Sequence, residues 1–196
     1  MRSSGRSARQ DVVRAEVRRA AALDQVNYVV TYVGGFALQL AGLHEEALVD
    51  TDRAIELDPT LPNAYSVRAA ALLALGDLEG ALAAVRRADA LAHNQMLFRS
   101  MLAIVLARAG EEAEARTVVD ELESKLDTGL VRPAACAMAR KALGDDEEAL
   151  ALLGQEVRIG YPVLWLYVMW GLDAAFHDEP GFAKIRLALG LTQCDG

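Results

Sequence analysis

Cysteine is nearly missing from this sequence, with two in 196 residues. Cys136 and Cys194 form no Cys-x-x-Cys pair and no Cys/His cluster, so a disulfide framework is excluded and structural zinc is disfavoured. A reducing, cytoplasmic setting is the expectation. The chain also lacks a long apolar run: residues 163–172 are its greasiest stretch, about half of what a membrane-spanning helix needs. Residues 1–20 carry six arginines but no apolar core of the kind a secretory signal requires. Positive charge is in deficit overall, 20 basic against 28 acidic residues for a net −8, which argues against a phosphate backbone as the main partner. With 53% hydrophobic and 24% charged residues, the composition is that of a folded chain, not a disordered one.

Catalytic patterns are missing as well. His44-Glu45-Glu46 has no second histidine four residues on, so it is not a zinc-hydrolase helix. Gly34-Gly35 is followed by no lysine at the spacing of a phosphate loop. The run Asp145 to Glu148 lacks the alternating oxygen ligands and glycine of a calcium loop, and reads as the acidic start of a helix. Cys136 sits among alanines as a small packing residue. No nucleophile stands beside a base, so neither an enzyme nor a cofactor or metal is expected.

What the sequence does have is a period. Gly42, Gly76, Gly110 and Gly144 recur every 34 residues, and five residues after each comes Ala47, Ala81, Ala115 or Ala149. Each glycine closes one apolar helical run, and an acidic stretch opens the next, as suits the positive end of a helix dipole. Every unit is therefore expected to be a helical hairpin. Small residues at the crossings let helix axes approach while large ones fill the space between hairpins.

A 34-residue unit of two helices resembles the tetratricopeptide repeat family. Residues 28–61 supply Gly35, Leu38, Ala47, Ala54 and Pro59 at the family's positions; residues 62–95 supply Tyr65, Ala69, Leu72, Ala81 and Ala88, with His93 in place of the closing proline. Residues 96–129 keep Leu102, Ala103, Leu106 and Ala115 but carry Arg99 where a large apolar residue is usual. Residues 130–163 depart most, with Pro133 at the start and Arg140 at another apolar position. The resemblance implies an all-α, right-handed superhelical solenoid of four units.

The flanks follow the same register. Ala20, Leu23 and Asp24 lie 34 residues before Ala54, Leu57 and Asp58, so residues 8–27 read either as the second helix of an earlier half unit or as an N-terminal cap, with residues 1–7 expected to be disordered. The six arginines of residues 1–19 face only Asp11 and Glu16, a local +4 that leaves the remainder at −12. That asymmetry fits a solvated amphipathic face better than a docking site for an acidic surface. Residues 164–196 are expected to form divergent capping helices. Trp165, Pro180, Phe182, Leu189, Gly190 and Leu191 resemble the end of tetratricopeptide regions attached to bacterial transcriptional regulators, kinases and nucleotide cyclases.

In the family, first helices line a concave groove that takes a peptide or helix. Carried over by register, the resemblance implies contacts from Tyr32, Phe36, Leu40, Leu73, Met101, Ile104 and Met138, with Arg108 and Lys141 as charged anchors. Phe36, Ala70 and Ile104 stand where a carboxylate clamp for chaperone tails needs asparagine, so that ligand is not expected. The expected function is a protein-interaction scaffold. Two alternatives stay open: a ligand-sensing regulatory module, and a homodimer in which a second copy, or the chain's own C-terminal helices, covers the strip.

Overall fold

The computed structural model describes residues 3–24, 26–93, 95–159, 176 and 181–188, and every described element is helical. The chain separates into two compact units, the break falling after His93. His93, where the register expects proline, is the one non-glycine of the described residues with a left-handed backbone, φ 51°.

The first unit holds α1 (Ser3–Leu23), α2 (Tyr28–Leu40), α3 (His44–Leu57), α4 (Pro62–Leu75) and α5 (Leu78–Leu91). The second holds α6 (Met96–Ala109), α7 (Glu112–Glu123), a 3-10 turn at Leu126–Thr128, α8 (Pro133–Ala142), α9 (Asp146–Ile159) and α10 (Phe182–Ala188). The helices α2, α4 and α6 start at 34-residue intervals. The α8 helix starts at Pro133, whose fixed φ suits a first helical turn, after an extended Arg132.

Each hairpin turn is built alike. Gly42, Gly76, Gly110 and Gly144 adopt φ of 76°, 84°, 81° and 83°. At all four, the next residue's N–H reaches back to the carbonyl five residues earlier: Leu43 to Leu38, Asp77 to Leu72, Glu111 to Leu106 and Asp145 to Arg140, at 2.9–3.0 Å. This closes the last carbonyls of the first helix in the manner of a Schellman cap. The second helices α3, α5, α7 and α9 all open on acidic residues, whereas none of the first helices α2, α4, α6 and α8 does.

Two kinds of glycine act here. A Cβ on Gly76, Gly110 or Gly144 would meet nothing within 4 Å, so only the sign of φ requires glycine there. Gly35 is helical, and a Cβ on it would lie 2.8 Å from Thr51 Cγ2 and 3.2 Å from the Ala47 carbonyl. That contact is where α2 and α3 cross, and Ala47, Thr51 and Ala54 are fully buried beneath it. Thr51 turns its hydroxyl onto the Ala47 carbonyl at 2.9 Å, which satisfies the buried oxygen and aims the methyl at Gly35.

The α1 helix ends at Leu23, in register with Leu57 at the end of α3, and Val13 and Val17 pack it onto the Leu38, Leu43, Ala47 and Ala71 core. It starts at Ser3 and so runs through part of the segment expected to be disordered. Most of the C-terminal motif, including Trp165, Pro180, Leu189, Gly190 and Leu191, lies outside the described residues. Phe176 and Phe182 are described; both are buried, with ring centroids 5.5 Å apart.

If Gly35 is a packing glycine and Gly76 a conformational one, they respond differently to a single methyl. Gly35→Ala should be better tolerated in a Thr51→Ser background, which removes Cγ2 and keeps the hydroxyl, by a coupling of about 1 kcal/mol in denaturant unfolding. Gly76→Ala should cost about 1–2 kcal/mol whatever stands at position 51.

Candidate functional site

The first helices carry the sequence-derived contact residues, and the two units treat them differently. In the first unit, Tyr32 and Phe36 on α2 are half-buried and Leu40 is exposed. Burial raises the pKa of the Tyr32 phenol, and the nearby Asn63 side chain on α4 acts against that rise. Gln39 points away from this surface: it is buried, and its side-chain oxygen lies 2.8 Å from His44 Nδ1. Leu73 on α4 is also buried, at 5% exposure.

In the second unit the strip is closed. Met101 and Ile104 on α6 are 2% and 1% exposed, and Met138 on α8 is buried too. From Ser100 to Ala107 every residue of α6 is buried, so this helix is apolar on all sides and surrounded, not half-open. Leu73, Met101, Ile104 and Met138 are therefore buried side chains, whereas their register positions led to the expectation of contact surface. Helical register places a residue on a face but does not say whether that face is covered.

The charged anchors also divide. Arg108, in the last turn of α6, is exposed and makes no ion pair among the described residues. Lys141 is half-buried, donates to Asp146 at 2.9 Å and lies 5.8 Å from the Phe176 ring centroid. Its charge already has an acidic and an aromatic neighbour.

The two arginines at usually apolar positions have a structural role. Arg140 on α8 reaches Glu123 at 2.8 Å and Asp120 at 2.9 Å on α7, and Asp145 in the turn at 3.2 Å. Arg116 on α7 reaches the same Asp145 at 2.8 Å. Arg99 on α6 donates to Glu121 on α7 at 2.6 Å, and Lys125 holds the same carboxylate at 2.8 Å. Arg132 and the Ala134 N–H hold the fully buried carboxylate of Glu156, which thereby closes the N-terminus of α8. Nothing in the sequence pattern singled out Glu156, because it falls on the buried face of an otherwise ordinary α9.

These pairs occupy several groups weighed for chemistry. Asp145 and Asp146 are held by arginine and lysine, and Glu46 pairs with Arg14 at 2.6 Å. Burial pushes the Cys136 thiol up to about 12, far from a thiolate at neutral pH. Among the described residues no helix is long and apolar enough to cross a membrane, and no group of three metal-ligating side chains assembles.

Stacked hairpins with glycine turns and small-residue crossings define an all-α tetratricopeptide solenoid. The tetratricopeptide repeat model matches residues 62–87 and 96–121. Among solved structures, YrrB, described as a TPR protein with an unusual peptide-binding site, is similar at a TM-score of 0.52 and 17% identity, over 91% of this chain and 93% of that one. No curated protein matches the sequence. The repeats support a general role as a protein-interaction scaffold.

The carboxylates of the second unit predict its acid response. Hydrogen bonds from Arg116 and then Arg140 lower the pKa of Asp145; those from Lys125 and then Arg99 lower that of Glu121. Unfolded carboxylates titrate near about 4. Their contribution is thus fully present above about pH 5 and is lost as pH falls through the lowered native values. Arg140→Gln should raise the Asp145 pKa in a carboxyl NMR titration and make stability fall less steeply between about pH 5 and 3; an unmoved Asp145 would show that the pair is not formed in solution.

Proposed function

We propose that this protein is a cytoplasmic scaffold that binds an apolar protein segment on the first-helix face of its first unit. Tyr32, Phe36 and Leu40 are the contacts. The observation that carries this reading is the contrast between α2, which keeps two half-buried aromatics and an exposed leucine on this face, and α6, where Ser100 and Ile104 at the places of Tyr32 and Phe36 are closed in and only the charged Arg108, at the place of Leu40, is exposed. Aromatic side chains that are partly covered and held in place lose little freedom on binding and dominate contact energies in grooves. Tyr32 is half-buried, beside Asn63 of α4. In the second unit, Arg108 offers a cation to an acidic residue of a partner, and Lys141, whose charge already faces Asp146, offers a weaker one.

The neighbour YrrB is described as having a peptide-binding site, which fits this class of ligand without naming it. A resemblance of the C-terminal end to the sensory regions of bacterial regulators would place the scaffold in signalling. Phe36→Asp should leave helicity unchanged and weaken capture of an apolar peptide library by at least about tenfold. Unchanged capture would remove the α2 face from the account, and conversion of a wild-type dimer to a monomer in light scattering would assign the face to self-association instead.

A further inference from the structure

A second apolar surface lies between α1 and α2. Their backbones approach closely: a Cβ on Gly34 would stand 3.0 Å from Val17 Cγ1. Beside that contact runs an open cleft of about 350 Å³ lined by Val17, Ala20, Val29, Val30, Val33 and Ala37. Val29 and Val33 remain 47% and 50% exposed.

The repeat itself shows what such a cleft holds. Shifted by 34 residues, Val17, Ala20, Val30, Val33 and Ala37 become Thr51, Ala54, Ala64, Val67 and Ala71, the cleft between α3 and α4, and all five are at most 1% exposed. The helix packed on both walls there is α2, with Gly35 as the small residue that lets Thr51 approach. The α1–α2 cleft is the same stacking interface one step earlier, without its helix.

We infer that this cleft binds an amphipathic α-helix of a different polypeptide, about the length of α2, carrying glycine or alanine where it crosses Val17. A helix folding back from immediately before α1 is disfavoured by the chain itself. Ala8 occupies the register place of Gly42, α1 is helical straight through it, and Gln10 donates its side-chain amide to the Ala41 carbonyl at 3.0 Å. No glycine turn reverses the chain at that point. A second folded copy does not fit either, because the small crossing residues of its first helices, Gly35, Ala69, Ala103 and Ala137, are already buried in their own hairpins.

The probe is a lysine-flanked synthetic peptide of residues 27–43, the one segment whose fit to the shifted cleft is displayed within the protein. Titrated against the full chain by fluorescence anisotropy, it should bind saturably at one site. Replacing its crossing glycine with leucine should weaken binding by about tenfold or more, as overfilling a close helix contact does. Val33→Asp in the protein should have the same effect, with Val29→Asp as a second reporter should the first disturb the circular dichroism spectrum. Phe36→Asp should leave this binding intact, which separates it from the proposed groove on the other face. Absence of saturable binding, indifference to the crossing residue, or indifference to both valine variants would overturn the inference. So would a wild-type dimer that Val33→Asp converts to a monomer, since a second copy would then be the occupant.

Discussion

Two helices can approach to within a backbone's reach only where one of them carries almost no side chain, and the fold depends on that constraint being met at every hairpin. At the α2–α3 crossing the requirement is strict: Gly35 leaves just enough room for the Thr51 methyl, and Thr51 is held in the necessary rotamer by its bond to the Ala47 carbonyl. Elsewhere alanine suffices, and Ala47, Ala54, Ala81, Ala88 and Ala115 are all fully buried. The turns impose a second constraint that is separate in kind. A Cβ on Gly76, Gly110 or Gly144 would touch nothing, yet the backbone passes through positive φ at all four turns, and the same hydrogen bond follows. Close approach fixes how hairpins pack, while positive φ fixes how long they are.

With geometry repeated so regularly, individuality comes from what the repeats leave uncovered. The second unit buries α6 from Ser100 to Ala107 and ties its helices together with arginine–carboxylate pairs. Such pairs add less stability than their number suggests when exposed, but Arg140 shares three carboxylates in a partly buried setting and so constrains α7, α8 and the following turn jointly. The first unit is less finished. It keeps Tyr32 and Phe36 half-covered on one side of α2 and Val29 and Val33 open on another. An interaction scaffold needs incompletely buried apolar surface, and among the described residues this unit has it on two faces of a single helix.

The 34-residue glycine interval and the alanines five residues on were readable in the sequence because backbone sign and crossing distance admit few residue types. Burial was not. Met101, Ile104 and Met138 occupy register positions that line a groove in related arrays, but coverage depends on what the rest of the unit places over them, and that is not encoded within one repeat. Arg99 and Arg140 looked like losses from the apolar pattern; apart from Asp145 in the turn after Arg140, their partners named above lie 22 and 17–20 residues away, in the neighbouring helix, where no local pattern marks them. Glu156 was silent for the same reason. The α1 helix was half legible, since the register of Ala20 and Leu23 let residues 8–27 be read either as the second helix of an earlier half unit or as an N-terminal cap, and did not decide between them.

The central claim is that Tyr32 and Phe36 on the α2 face of the first unit stay part-exposed while Met101 and Met138 of the second are closed in. Hydroxyl-radical footprinting of the intact protein tests it most directly, because methionine is intrinsically more reactive toward oxidation than phenylalanine and so works against the expected result. The account predicts ready modification of Tyr32 and Phe36 with protection of Met101 and Met138. Rapid oxidation of both methionines in the folded protein, with Tyr32 and Phe36 protected, would contradict it.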